Sequence, residues 1–186
     1  FDASSIKHLP QIDTLIVDKT GTLTEGHPAF ERAIAQPGQT EDEVLRLAAS
    51  LDQGSEHPLA DAIVRAARER GLVLDKPEQF GSATGIGVHG IVAGQQLVLG
   101  NAALMAQEGV SLDTAPELAA DADAARQRGA SVVHLAADGR LLGVLVVSDP
   151  IKSTTPEALA ALRAAGLPVV MATGDGLATA RTVGRQ

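Results

Sequence analysis

Asp18-Lys19-Thr20-Gly21-Thr22 sets a carboxylate, a cation, two hydroxyls and a glycine directly after the apolar run Thr14-Leu15-Ile16-Val17. Such a β-branched run reads as a short buried strand, so Asp18 stands at its C-terminal tip and the remainder forms a turn. A carboxylate placed there can attack a phosphoryl group. Turn amides and threonine hydroxyls would hold the phosphoryl oxygens, Lys19 would offset charge, and Mg²⁺ would bridge carboxylate and phosphate. A solvated strand-end turn accounts for an isolated Asp-x-Thr. The full run DKTGTLTEG after LIV favours phosphoryl chemistry instead. A second strand, predicted over residues 167–171, ends at Thr173-Gly174-Asp175. Open α/β sheets bind ligands beyond the carboxyl ends of their strands, so the two Asp/Thr loops are expected to share one site.

A purine would need other residues. The chain holds three Phe and neither Tyr nor Trp, so histidine, glycine backbone and aliphatics must serve. His57, in Glu56-His57-Pro58 before a predicted helix, could stack on adenine or bond its ring nitrogens; the plain alternative is a helix cap or surface residue. Glu56 could orient His57 or meet the adenine amino group, or merely gain from the dipole of a first helical turn. Gly85 and Gly87 would let backbone approach a nucleotide, although tight β turns need glycine in any case. Asn101 could reach a ribose or phosphate, or cap the helix that follows. His8, His27, His89 and His134 show no ligand spacing and are given no metal or ligand role. Arg65, Arg68 and Arg70 read as cations solvating a helix end.

These residues must be held by a mixed set of elements. Thr40 and Glu43 form a capping box for a helix running to about residue 50. A second helix is predicted over residues 59–70, closed by Gly71. Short β segments broken by glycines between residues 79 and 100 read as an antiparallel meander. Helices over 101–108 and 116–128 follow, then a hairpin of residues 132–135 and 141–147 around Asp138-Gly139. Pro156 opens a further helix, and another is predicted from about residue 177.

The whole is 186 residues, 45% hydrophobic and 20% charged, an ordinary globular balance that excludes wholesale disorder. A net charge of −8 excludes a broad basic surface, so no nucleic-acid partner is expected. The absence of cysteine excludes disulfides, thiolate metal sites and thiol nucleophiles in this chain. No apolar run approaches the roughly 20 residues of a membrane helix.

DKTGTLTEG resembles the phosphorylation signature of the P-type ATPases, members of the haloacid-dehalogenase-like superfamily. Ser55-Glu56-His57-Pro58-Leu59-Ala60 is similar to the SEHPLA motif of the heavy-metal-transporting subclass. Gly85-Ile86-Gly87, Gly100-Asn101, Asp149-Pro150-Ile151-Lys152 and Thr173-Gly174-Asp175 stand in that family's order, with the copper(I)-exporting branch the nearest resemblance. The resemblance implies an α/β, haloacid-dehalogenase-like but incomplete phosphorylation domain over residues 1–27 and 147–186. Inserted into it, over 28–146, is an α+β nucleotide-binding domain on an antiparallel sheet. It implies autophosphorylation of Asp18 by ATP, with Mg²⁺ on Asp18 and the Thr20 carbonyl, Lys19 beside them, and Thr173 and Gly174 on phosphate oxygens near Asp175. Nucleotide contacts would fall to Asp52, Glu56, His57, Gly85, Gly87 and Asn101.

Two departures qualify it. Asp52 stands where the family commonly has Glu, one methylene shorter, which weakens adenine recognition or bridges it by water. No match exists for the family's later catalytic Lys, its GDGxNDxP segment, its membrane helices, its CPC ion site or its actuator loop. The resemblance therefore implies a piece of a pump on the cytoplasmic face of a membrane, with negligible turnover alone and a tendency to self-associate. Two alternatives remain at this stage. One is a soluble haloacid-dehalogenase-like phosphatase, disfavoured because Thr20 occupies the position of that group's second Asp. The other is a nucleotide-binding module whose aspartate is never phosphorylated.

Overall fold

A computed structural model describes residues 13–113 and 115–172, excepting the side chains of Lys19, Thr20 and Ala172. The chain opens with β1 (Leu15–Asp18), which runs into a single π-helical turn at Lys19–Leu23. Strand β2 (Ala29–Ala35) follows, then helices α1 (Glu41–Asp52) and α2 (Pro58–Glu69). Strands β3 (Glu78–Ala83), β4 (Gly87–Val92) and β5 (Gln95–Gly100) form the meander. Helices α3 (Ala102–Gln107) and α4 (Pro116–Gln127) precede the hairpin of β6 (Ser131–Ala137) and β7 (Arg140–Ser148). The described chain closes with α5 (Thr155–Ala164) and β8 (Val169–Ala172). The helix expected from residue 177 lies outside the described residues.

Two sheets result. Strands β1 and β8 pair in parallel, with Asp18 opposite Ala172. The other six run antiparallel in the order β2-β7-β6-β5-β4-β3. The larger sheet is covered on both faces, which explains why β7 reads as an almost continuous apolar run rather than an alternation. Leu97, Leu99, Leu135, Leu145 and Val147 point to one side and pack with Val44, Leu45, Leu51 and Ile63 of α1 and α2. Val98, Ala136, Leu141 and Val144 point to the other and meet Leu104 of α3 and Leu118 and Ala122 of α4. A bulge between Leu135 and Ala136 preserves this alternation across the hairpin. Its turn places Asp138 (φ 47°) and Gly139 (φ 78°) in the left-handed region, as an Asp-Gly two-residue turn requires.

Helix ends follow local chemistry. Thr40 Oγ1 accepts from the Glu43 amide at 3.2 Å, and α1 runs two residues past its expected end to Asp52. In the smaller sheet Ile16 and Val170 are register partners and stay 69% and 51% exposed. No helix among the described residues is long and apolar enough to cross a membrane.

Strands and loops crossing between the two sheets are tied to one another. Thr24 and Ile151 form an antiparallel bridge. Glu25 N donates to Pro150 O at 2.8 Å and Lys152 N to Leu23 O at 3.0 Å. Thr155 Oγ1, buried, donates to Leu23 O at 2.7 Å.

Candidate functional site

A cavity of about 990 Å³ wraps around the Gly100 end of β5, bordered by α2 and the end of α1 on one face of the large sheet and by α4 on the other. Its wall includes Asp18, Asp52, His57, Gly85, Gly87 and Asn101. Six of the residues singled out in the sequence thus share one cleft.

Asp18 is exposed at the tip of β1, and β8 ends beside it at Ala172, so both strands open onto the same edge. The side chains of Lys19 and Thr20, and all of Thr173, Gly174 and Asp175, lie outside what the structure describes. The turn after Asp18 is held from the opposite crossing. Gly21 N donates to Thr24 Oγ1 at 3.1 Å, and that hydroxyl donates to Asp149 Oδ2 at 2.5 Å. Gly26 N donates to Asp149 Oδ1 at 3.1 Å, and Lys152 Nζ to Gly21 O at 2.7 Å. Asp149 and Lys152 therefore brace the loop that carries Asp18, a role that residue type alone did not reveal. Thr24, inside the signature run, is a further residue of this brace, its role visible only in the contacts of its hydroxyl.

His57 is the N-cap of α2, ahead of Pro58 at the first helical position. Leu59 N donates to His57 Nδ1 at 3.1 Å. An amide can only donate, so Nδ1 is bare and the neutral ring carries its proton on Nε2, free for a ligand. The cap and the ligand-contact readings of His57 are compatible, because they use opposite nitrogens. Ser55 supports the approach to the helix, its Oγ accepting from His57 N at 3.3 Å. Glu56 is exposed and is absent from the cavity wall, at the helix start where the dipole stabilises an acid.

Asp52 ends α1 and is only 6% exposed, facing the cavity. Burial pushes its carboxyl up to about 7. Near neutrality it is thus a group that can either donate or accept a hydrogen bond, useful against a base edge that presents both.

The two glycines of Gly85-Ile86-Gly87 differ. Gly85 has φ 77° and nothing within 4 Å of where a Cβ would lie, so its backbone is open to a ligand. At Gly87 a Cβ would sit 2.3 Å from Leu99 O, so this glycine serves close strand packing. Gly87 also borders the cleft, beside Gly85. Asn101 realises the capping alternative: its Oδ1 accepts from Ala103 N at 3.0 Å and Leu104 N at 3.1 Å. Its Nδ2 donates to Gly85 O at 3.4 Å, so it also tethers the glycine turn.

His134 was given no role in sequence. It is buried, it lines the cavity, and its Nδ1 lies 3.3 Å from Gly100 O. No spacing pattern signals a contact between residues 34 positions apart. Among the described residues, no cluster of three or more His, Asp or Glu side chains could hold a metal. One carboxylate and main-chain oxygens are nevertheless a sufficient protein share for Mg²⁺, which keeps several waters and takes further ligands from phosphate. The exposed Asp18 carboxylate is a hard oxygen donor of the kind that ion takes.

A family model for the haloacid dehalogenase-like hydrolases matches residues 12–186, and the chain belongs to that family. Within it, the chain resembles the catalytic region of metal-transporting P-type ATPases. It is 48% identical over 182 residues to a copper-exporting P-type ATPase of Legionella pneumophila, covering 98% of this chain and 24% of that protein. It is 43% identical over 185 residues to a silver exporting P-type ATPase of Salmonella typhimurium, covering 100% of this chain and 22% of that protein. The chain thus spans under a quarter of these relatives. Among solved structures, the N-domain of HMA6, a copper-transporting P-type ATPase, aligns with a TM-score of 0.54 at 30% identity, over 66% of this chain and 99% of that one.

Proposed function

We propose that this chain is the ATP-binding and phosphoryl-accepting region of a metal-exporting P-type ATPase, working at the cytoplasmic face of a membrane. One observation carries the reading: Asp18 borders the same cleft as His57, Asp52, Gly85 and Asn101. Adenine lies against His57 Nε2–H and Asp52, with the Gly85 backbone beside it. The triphosphate then extends toward the β1 tip. An Asp18 carboxylate oxygen bonds to the γ-phosphorus as the bond to the β,γ-bridging oxygen breaks, and ADP leaves. Asp18 and the Thr20 carbonyl would hold Mg²⁺, which would supply charge neutralisation on the phosphates. Lys19, Thr173, Gly174 and Asp175 are assigned to the phosphate side by resemblance.

Residues 28–146 form the nucleotide-binding domain in this reading, and 1–27 with 147–186 contribute to the phosphorylation domain. The six-stranded sheet and its helices, between Ala29 and Ser148, support that division. Thr20, two residues after the nucleophile, leaves no local base to hydrolyse the phosphoenzyme, which suits a pump. Copper(I) is the proposed cargo, and the relatives' names divide between copper and silver. Membrane, actuator and further phosphorylation segments of the pump are the proposed partners. The exposed pair Ile16 and Val170 favours self-association of this piece alone.

Incubation with γ-labelled ATP tests the reading in the full-length pump carrying this region. Label stable to acid, released by hydroxylamine and lost in Asp18→Asn, is the expected result. Label retained in Asp18→Asn overturns the assignment.

A further inference from the structure

We propose that His134 is a positioning residue for the nucleotide, holding the Gly100–Asn101 peptide plane and through it the Gly85–Gly87 turn. The inference rests on the nucleotide reading of the cleft.

The β5–β6 ladder ends at the pair Gly100 and His134. Beyond it the chain leaves the sheet for α3, so strand pairing no longer fixes the next peptide. One planar unit spans that exit: its carbonyl belongs to Gly100 and its N–H to Asn101. The carbonyl faces His134 Nδ1 at 3.3 Å. The N–H donates to Ile86 O at 2.9 Å, at the centre of the glycine turn. In a trans peptide these two groups point in opposite directions, so the plane is pinned at both ends and cannot rotate without losing both bonds. Gly100 has no Cβ to limit its own rotation, which makes the external hold matter.

Chemistry fixes the imidazole state. Gly100 O can only accept, so Nδ1 carries the proton. Nε2 is then bare and faces the Arg126 guanidinium at 3.4 Å, which can only donate. The opposite tautomer would set donor against donor and acceptor against acceptor. Burial, and then the Arg126 charge, push the ring below its ordinary pKa, opposed by the Gly100 bond. Arg126 is itself paired with Asp123 at 2.8 Å. The hold on the turn thus begins on α4, across the sheet from His57.

The test compares His134→Leu, which removes the donor, with His134→Asn, whose amide nitrogen can occupy the Nδ1 position. In His134→Leu, exchange of the Asn101 amide is expected to accelerate at least about tenfold while core amides of Leu135 and Leu145 keep their rates. Its Kd for ATP is expected to rise about tenfold, equal to about 1.4 kcal/mol. His134→Asn is expected to restore most of both. Unchanged Asn101 exchange in His134→Leu, or an Asn variant no better than Leu, overturns the role. If His134→Leu does not fold, imidazole nitrogen shifts of the unsubstituted protein decide, and a proton on Nε2 overturns it. A native protein that takes up no ATP overturns the nucleotide reading itself, whereas ATP bound equally by the native protein and a folded His134→Leu overturns only His134.

Discussion

Gly87 and Gly100 oppose each other across β4 and β5 so closely that neither can carry a methyl group. A Cβ on Gly87 would lie 2.6 Å from Gly100 Cα, and one on Gly100 would lie 2.2 Å from Ile86 O. Leu104 of α3 fills the groove above them, 2.6 Å from either notional Cβ. The glycine turn, the end of β5 and the start of α3 therefore form one packed joint at the mouth of the cleft.

Alanine separates the two glycines of the turn. Gly87→Ala strikes backbone and should cost about 3 kcal/mol, within the range of overpacked sites. Gly85→Ala meets no atom and should cost only about 1–2 kcal/mol for its left-handed φ. Urea denaturation reads both, and equal losses would contradict the joint.

Asp52 makes stability depend on pH in a stated direction. Its carboxyl titrates near 3.8 when unfolded and about 7 when folded. Below pH 4 both states are protonated and burial costs nothing in charge. Between about pH 4 and 7 the unfolded chain ionises first, so stability falls as pH rises, by up to about 4 kcal/mol. Above 7 the loss is constant. Asp52→Asn should flatten that slope in denaturation curves taken from pH 4 to 8.

His57 should divide into two functions. His57→Asn keeps a good cap and should leave stability within about 0.5 kcal/mol, while lacking the imidazole for the base. Its ATP affinity should fall about tenfold, or about 1.4 kcal/mol. His57→Ala should lose both affinity and about 1 kcal/mol of stability. Calorimetric titration with thermal unfolding distinguishes the two variants.

The brace on the Asp18 loop should respond as a coupled pair. Thr24→Val strips the hydroxyl from Asp149 and should cost about 2 kcal/mol, with Thr24→Ser recovering much of it. Adding Asp149→Ala should give far less than the sum of the single losses, with a coupling of at least about 1 kcal/mol in a double-mutant cycle.

Most of the fold was legible because its signals are local. The Thr40 cap, the glycine-broken meander and the Asp138-Gly139 hairpin all appear where sequence chemistry set them. Strands β1 and β8 form at their expected places but are not the buried strands their apolar runs predict, since the two-stranded sheet leaves Ile16 and Val170 exposed. Strand β2 was not legible, since Ala29–Ala35 mixes alanine with Glu31 and Arg32 and carries little β preference. Its pairing with β7, Ala29 with Ser148 through Ala35 with Gly143, imposes the extended state. In the site, the residue types were legible and the bonds were not. Asn101 was balanced between two roles because one residue's identity cannot say which partners its amide meets. The hold of His134 on Gly100, and of Asp149 on Thr24, joins positions 34 and 125 apart and exists only once the sheet is assembled.

Ala29 and Ser148, where the chain enters and leaves the six-stranded sheet, are register partners facing each other across β2 and β7. Everything between them starts and finishes at nearly the same point in space. Such a unit is a cassette: it can be lifted out with a short bridge left behind, or replaced by a foreign domain whose ends lie equally close. It also suits circular permutation, with the old ends joined and new ones opened at a β turn such as Ala93-Gly94.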